Sequence, residues 1–222
     1  MVSLSDLTPA ERARLLGKPE GDLGIAISEV MNQTNARIIE TVYRRLRLQS
    51  GHSVLEIGFG NGRTVPLLME QADGLTYVGI DIAETMVAQA HSFNRILVEA
   101  GRATFHLASA ESIPCEDASF DRVLAVNVVY FWPDPVRVLA EIRRALRPDA
   151  FSIIAGIDTA TAAAVPFYRA EYGFNAYDAA ALIGFHRAAG FTDVEVEPFD
   201  EVTKMGDGTP LARHYHLVVA RP

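Results

Sequence analysis

The chain holds a single cysteine in 222 residues. Cys115 therefore has no intrachain disulfide partner, which fits a reducing cytoplasm. No uninterrupted apolar run approaches the ~20 residues that a membrane-spanning helix needs. The stretch MVSLSDLTPAERARLL lacks the basic-then-apolar pattern of a secretory leader. Basic charge is short as well: 20 Lys and Arg stand against 28 Asp and Glu, a formal net charge of −8. A duplex-binding surface concentrates Lys and Arg. The densest basic cluster is Arg44, Arg45 and Arg47. Its simpler reading is the last turn of a helix, where cations complement the helix dipole. The expectation is a cytoplasmic protein without a membrane span and without a nucleic-acid partner.

Apolar residues are plentiful at 49%, enough for a sizeable core, and the length suits one α/β domain with a small appendage. Thr8-Pro9-Ala10-Glu11 is a capping box with proline at the first helical position, so a short helix follows to about residue 16. Gly17, Pro19, Gly21 and Gly24 predict a loop. A long helix is expected over 28–48, with Met31, Ile38, Val42 and Leu46 as its apolar stripe and Gly51 as its cap. The polar run Asn32, Gln33, Thr34, Asn35 is either a solvated face or the lining of a ligand mouth.

From residue 52 the pattern alternates. Strands are expected at 52–57, 76–81, 103–107, 121–127 and 151–157, with helices at 62–71, 84–100 and 135–146. Short apolar strands alternating with helices predict a parallel sheet covered on both faces. After Asp158 the rhythm breaks, and 158–177 reads as loop with a short helix. A helix at 178–189 and strands at 192–198 and 214–220 complete the chain, with a turn at 203–210 joining the last two strands. That turn predicts an antiparallel end to the sheet. The expected organisation is an N-terminal helical cap, 1–50, on one globular unit, 51–222.

The stretch VLEIGFGNGRTV, residues 54–65, sits at the carboxyl end of the first strand of that sheet, where open α/β sheets bind ligands. Glycine there permits positive φ and close backbone approach. A phosphate-binding P-loop needs G-x-x-x-x-G-K-[ST], but Gly58 and Gly62 are too close and Arg63-Thr64 replaces Lys-[ST]. The dinucleotide fingerprint G-x-G-x-x-G fits Gly58 and Gly60, and its third glycine falls on Arg63. The spacing present is G-x-G-x-G, with Glu56 two residues ahead.

That spacing resembles motif I of the class I S-adenosylmethionine-dependent methyltransferases. Asp81 strengthens the likeness, ending the second strand 19 residues past Gly62, where a carboxylate can accept ribose hydroxyls or cap the next helix. Residues 108–135, ASAESIPCEDASFDRVLAVNVVYFWPDP, resemble the family's adenine-contacting stretch and fourth strand, with Ser109 in place of the common aspartate. Residues 141–154, EIRRALRPDAFSII, resemble its helix and fifth strand, with Arg147-Pro148-Asp149-Ala150 at the turn. The resemblance spans about residues 52–157. It implies a Rossmann-like α/β fold: a seven-stranded, mostly parallel sheet in the order 3-2-1-4-5-7-6, strand seven antiparallel, helices on both faces.

The resemblance also implies S-adenosyl-L-methionine as cofactor and S-adenosyl-L-homocysteine as product. Gly58, Gly60, Asn61 and Gly62 would cradle the methionine part, and Glu56 would hold its ammonium through water. Asp81 would take the ribose, Ile82 and Met86 would flank the adenine, and Ser109, Ala110 and Glu111 would lie at its edge. Asn127 would face the methionine part or the methyl-transfer site, or else cap the following loop. Asn127 and Tyr130 are the candidates for a catalytic role. Strand four lacks Asn/Asp-Pro-Pro-Tyr/Phe, the mark of many amino-methylating nucleic-acid enzymes, which favours a small-molecule or lipid-like acceptor. Its pocket is expected from 20–35, 128–133 and 158–178, with Tyr130, Phe131, Trp132, Phe167, Tyr168, Tyr172, Phe174 and Tyr177 as aromatic surface. No metal is expected: His214 and His216 share a strand face without a completing cluster. The competing functions are a cofactor-binding but inactive partner or regulatory subunit, and a nicotinamide oxidoreductase.

Overall fold

The computed structural model describes residues 6–204 and 208–222. The expected turn at 203–210 runs through 205–207, and the leader reading begins at 1–5; both stretches lie outside the described residues. Seven strands form one sheet: β1 (Ser53–Ile57), β2 (Thr76–Asp81), β3 (Ala103–Leu107), β4 (Phe120–Val126), β5 (Leu146–Ile157), β6 (Asp193–Lys204) and β7 (Pro210–Arg221). Their order is β3-β2-β1-β4-β5-β7-β6. Pairs from β3 to β5 are parallel, and β7 is antiparallel to both neighbours. The parallel strands and the antiparallel end are those the apolar rhythm predicts, and the order is the one the family resemblance implies.

The strands run central and apolar because helices cover both faces. Val54, Leu55, Val123, Leu124, Ile153 and Ile154 are all buried. Each such side chain removed from water stabilises the fold by ~1.5–3 kcal/mol. The helices are α1 (Pro9–Gly17), α2 (Gly21–Thr34), α3 (Ala36–Arg45), α4 (Val65–Met69), α5 (Glu84–Phe93), α6 (Arg95–Glu99), α7 (Pro135–Ala145), α8 (Thr159–Ala164) and α9 (Ala179–Ala188). The capping box forms: Thr8 Oγ1 accepts from Glu11 N, and Glu11 Oε2 accepts from Thr8 N. Arg44 and Arg45 lie in the last turn of α3, as the simpler reading of that cluster requires.

Five local expectations differ from the structure. The single helix 28–48 is two helices broken at Asn35 (φ −103°, ψ 2°), where Arg213 draws on the Asn35 side chain and the Thr34 carbonyl. The loop at Gly21 and Gly24 is the start of α2, and Gly24 is there because a Cβ would stand 2.5 Å from the Pro19 backbone. The helix 84–100 breaks at Asn94, whose Nδ2 donates to the carbonyls of Gly62 and Ala90 instead of leaving the helix undisturbed. The turn expected at 147–150 is part of β5, which starts at Leu146 and absorbs the irregularity as a register shift against β4. The helix read over 62–71 is shorter, since the glycine loop itself takes up residues before Val65.

Helices α1 and α2 lie over the carboxyl ends of the strands. Gly21 N donates to Thr85 Oγ1 at the start of α5. Arg63 leaves the glycine loop to pair with Glu29 of α2 at 2.8 Å, its guanidinium 4.1 Å above the Phe93 ring. The side chain that spoils a dinucleotide fingerprint thus fastens the N-terminal helices to the sheet.

Candidate functional site

A cleft of about 260 Å3 opens at the carboxyl ends of β1, β2 and β4, beneath α2. Its base is the glycine loop, where Gly58, Gly60 and Gly62 have φ of +71°, +62° and +70°. Side chains rarely take that backbone region. The three glycines serve different ends. A Cβ on Gly58 would meet Val128 Cγ1 at 2.4 Å, and one on Gly62 would meet Ala90 Cβ at 2.7 Å. Gly60, between them, has nothing within 4 Å and lines the cleft. Gly58 and Gly62 therefore let the segment after β4 and helix α5 close in, while Gly60 leaves the cleft wall as bare backbone.

Glu56 and Asp81 stand on either side of this loop. Glu56 is 5% exposed, and its Oε2 accepts from Tyr77 at 2.9 Å and from Tyr43 at 3.4 Å. Burial pushes its carboxyl up to about 7, against the pull of the two phenols and with a smaller push from Asp81. Asp81 is 8% exposed; Oδ1 accepts from Ala83 N at 2.9 Å and Oδ2 from Gly60 N at 3.3 Å. Burial raises it to about 6, while those backbone donors work the other way. The helix-cap alternative for Asp81 is not what the structure shows: the N-cap of α5 is Ala83, without a side-chain cap bond, and the Asp81 carboxylate instead closes the turn that leads into it.

Asn61 ties loop to roof. Its Nδ2 donates to Ser28 Oγ at 3.2 Å, and its Oδ1 accepts from Asn32 at 3.1 Å. Of the polar run 32–35, Asn32 and Asn35 line the cleft, and Gln33 is exposed.

Most of the residues singled out in the sequence converge. Glu56, Gly58, Gly60, Asn61, Asp81, Ile82, Met86, Ser109, Ala110, Glu111 and Asn127 all line the cleft. Gly62 does not; it packs behind, against α5. Tyr130 stands behind Asn127 instead of on the cleft wall: its hydroxyl donates to Asn127 Oδ1 at 2.6 Å and accepts from Ile157 N at 2.8 Å. Asn127 has φ +60°, a strained value for asparagine that this anchoring holds in place. Of the aromatic set, Phe131 and Trp132 line the cleft, Tyr168 and Phe174 lie deeper, and Phe167, Tyr172 and Tyr177 line neither cavity.

Two residues that the sequence reading passed over matter to the site. Tyr43 and Tyr77 hold Glu56. Tyr77 carried a signal: it stands two residues before Gly79, the register partner of Glu56, and a buried tyrosine on a central strand must find a partner for its hydroxyl. Tyr43 on α3 carried none.

Charge distinguishes this cleft. Its described lining includes three carboxylates, Glu56, Asp81 and Glu111, and no Lys, Arg or His. Buried charge without a partner is costly. The arrangement favours a ligand that brings positive charge and hydroxyl donors, and disfavours one that brings phosphates. Glu56 and Asp81 suit an ammonium and a ribose diol, Gly60 leaves room for a ligand chain, and Ile82 and Met86 offer an apolar surface. On these grounds the residues fit S-adenosylmethionine, a cation.

Residues 55–154 match a family model described as a methyltransferase domain. The chain is 33% identical over 125 residues to the methyltransferase GfsG of Streptomyces halstedii, spanning 56% of this chain and 45% of that protein. It is 26% identical over 168 residues to the uncharacterized methyltransferase YdaC of Bacillus subtilis, spanning 76% of this chain and 87% of that one. The chain spans about half the length of the first curated relatives it matches. Among solved structures, Haemonchus contortus phospholethanolamine N-methyltransferase 2, in complex with phosphomonomethylethanolamine and S-adenosylhomocysteine, superposes with a TM-score of 0.71 at 15% identity. That match covers 97% of this chain and 61% of the other, and it is a likeness of fold.

Proposed function

We propose that this chain, whose residues 55–154 match a methyltransferase-domain family model, is a class I S-adenosylmethionine-dependent methyltransferase that transfers a methyl group to a small-molecule or lipid-like acceptor by in-line displacement. The observation that carries this reading is the cleft's charge: three carboxylates and no cation among its described lining residues. A nicotinamide dinucleotide would set its pyrophosphate on the glycine loop beside Glu56 with no cation in the described lining to meet it, whereas S-adenosylmethionine would set an ammonium there.

S-adenosylmethionine supplies a methyl group already activated on sulfur. The chain's own residues bind, orient and exclude water. Asp81 holds the ribose hydroxyls, and Glu56, steadied by Tyr43 and Tyr77, holds the ammonium through water. Gly58 and Gly60 give the methionine part close access to backbone, with Asn61 and Gly62 fixing the loop. Ile82 and Met86 flank the adenine, with Ser109, Ala110 and Glu111 at its edge. Asn127 faces the transfer site, and Tyr130 is a positioning residue that keeps its amide turned. No histidine, lysine or cysteine occurs in the described lining, and in this reading alignment and exclusion of water supply much of the rate. In this reading residues 1–50 cap one globular unit, 51–222. The lone cysteine and the acidic balance fit a cytoplasmic enzyme without nucleic acid as substrate.

Calorimetry with S-adenosylhomocysteine and with NAD tests the reading. S-adenosylhomocysteine is expected to bind and NAD to give no heat. Binding of NAD alone overturns the assignment.

A further inference from the structure

A second cavity, about 20 Å3, lies against the cleft and shares Leu16, Met31, Asn35, Asn127 and Phe131 with it. Its inner wall carries Tyr130, Tyr168, Phe174 and Arg213. Phe174 is stacked between the two tyrosines, with ring centroids 4.2 Å from each. Such a volume holds one group about the size of a water molecule. The walls are apolar and aromatic apart from Asn35, Asn127 and Arg213.

Arg213 is the uncommon feature. Its side chain is 7% exposed, deep on β7. Nη1 donates to Asn35 Oδ1 at 3.0 Å. Nη2 donates to Glu201 Oε1 at 2.5 Å and to the Thr34 carbonyl. Tyr215 donates to the same Glu201 oxygen at 3.1 Å. Nε has no partner. Buried donors in folded proteins are nearly always paired, and arginine has donors only. What completes this site is therefore a hydrogen-bond acceptor. The guanidinium charge is already balanced by Glu201, and the adjoining cleft carries three carboxylates, so an anion is not called for.

We propose that this cavity is the recognition end of the acceptor site, where the Nε–H of Arg213 receives the carbonyl or hydroxyl oxygen of a neutral acceptor with an apolar body. The body lies in the cleft beside Asn127 and Phe131, and only the oxygen reaches the inner cavity. Naming this ligand the methyl acceptor rests on the methyl-transfer reading; the oxygen-binding site itself does not.

Acetophenone, its isostere α-methylstyrene and benzoate serve as probes, titrated into the full chain by ligand-observed NMR with and without S-adenosylhomocysteine. Acetophenone is expected to saturate the protein about tenfold more tightly than α-methylstyrene, the difference one hydrogen bond makes. Benzoate is expected to bind more weakly than the ketone. In a folded Arg213→Met/Glu201→Gln double variant, which removes the charge pair together, the ketone should lose its advantage over the alkene. Equal binding of ketone and alkene, a preference for benzoate, no saturable binding of acetophenone, or a ketone preference that survives in the double variant overturns the proposal. If the double variant does not fold, the three-probe comparison in the native chain still decides. Failure of S-adenosylhomocysteine to bind strikes the methyl-transfer reading and leaves the ketone-against-alkene comparison standing.

Discussion

Glu56 and Glu201 are buried to nearly the same degree, 5% and 6% exposed, in opposite company. Glu201, on β6, faces Arg213 from β7 and the hydroxyl of Tyr215. Glu56, on β1, faces two tyrosine hydroxyls, with Asp81 as its nearest charge to bear on it. The β6–β7 end of the sheet settles its charge internally. Among the described residues, the β1–β2 end leaves two carboxylates without a cation. Internal pairing marks a carboxylate whose work is to hold the chain together. An unbalanced one marks a place kept for something from outside, and the glycine loop between Glu56 and Asp81 says where it goes.

The contrast is broken most severely at Glu201. Glu201→Ala leaves the Arg213 charge buried and unmatched, and should lower unfolding free energy by ~3–5 kcal/mol in a urea titration, with S-adenosylhomocysteine affinity little changed in the folded fraction. A loss below ~1 kcal/mol would show that the pair is not what steadies the β6–β7 end.

Glu56→Gln should act the other way. The folded-state carboxyl lies at about 7 against an ordinary value of 4.5. A raised acid stabilises the fold below its unfolded pKa and loses that contribution as pH rises through about 7. Wild type should therefore be less stable at pH 8 than at pH 5 from this group, by ~3 kcal/mol at most. Glu56→Gln should remove that difference, gaining stability at pH 8, and should bind S-adenosylmethionine more weakly there. The wild-type cofactor affinity should rise over the same interval, as the carboxylates ionise. A variant that is less stable than wild type at pH 8 would mean that Glu56 is paid for inside the fold, as Glu201 is.

The smallest effect sharpens the contrast. Asp81→Ala removes hydrogen bonds to a bound ligand and should weaken S-adenosylmethionine binding by ~1.5–3 kcal/mol, with the fold retained but the melting temperature lowered by loss of the bonds from Ala83 N and Gly60 N. An unchanged dissociation constant would leave Asp81 as a local anchor of the loop and turn alone.

The same two regions differ in how much of them can be read along the chain. Glu56, Gly58, Gly60 and Asp81 lie at the ends of two adjacent strands, so strand periodicity alone brings them to one edge. The helix breaks at Asn35 and Asn94 were hidden because each depends on a remote partner, Arg213 in one case and the Gly62 carbonyl in the other. Tyr130 shows a related limit. Its place after strand four suggests chemistry, but which way the hydroxyl points was decided by the Ile157 amide on the neighbouring strand. Gly62 belongs to the motif by spacing, yet packing against Ala90 turns it away from the cleft.

Apolar alternation, glycine spacing and strand-end carboxylates determined the strands, their mostly parallel sense and the ligand-binding edge, because each acts within a few residues of itself; the strand order came from the family resemblance. Whether a buried charge is balanced depends on side chains that meet only after folding. Asn35 and Arg213 are 178 residues apart in sequence and 3.0 Å apart in the fold. Tertiary structure alone decided that β7 closes one charge pair and leaves one guanidinium nitrogen open beside the cleft.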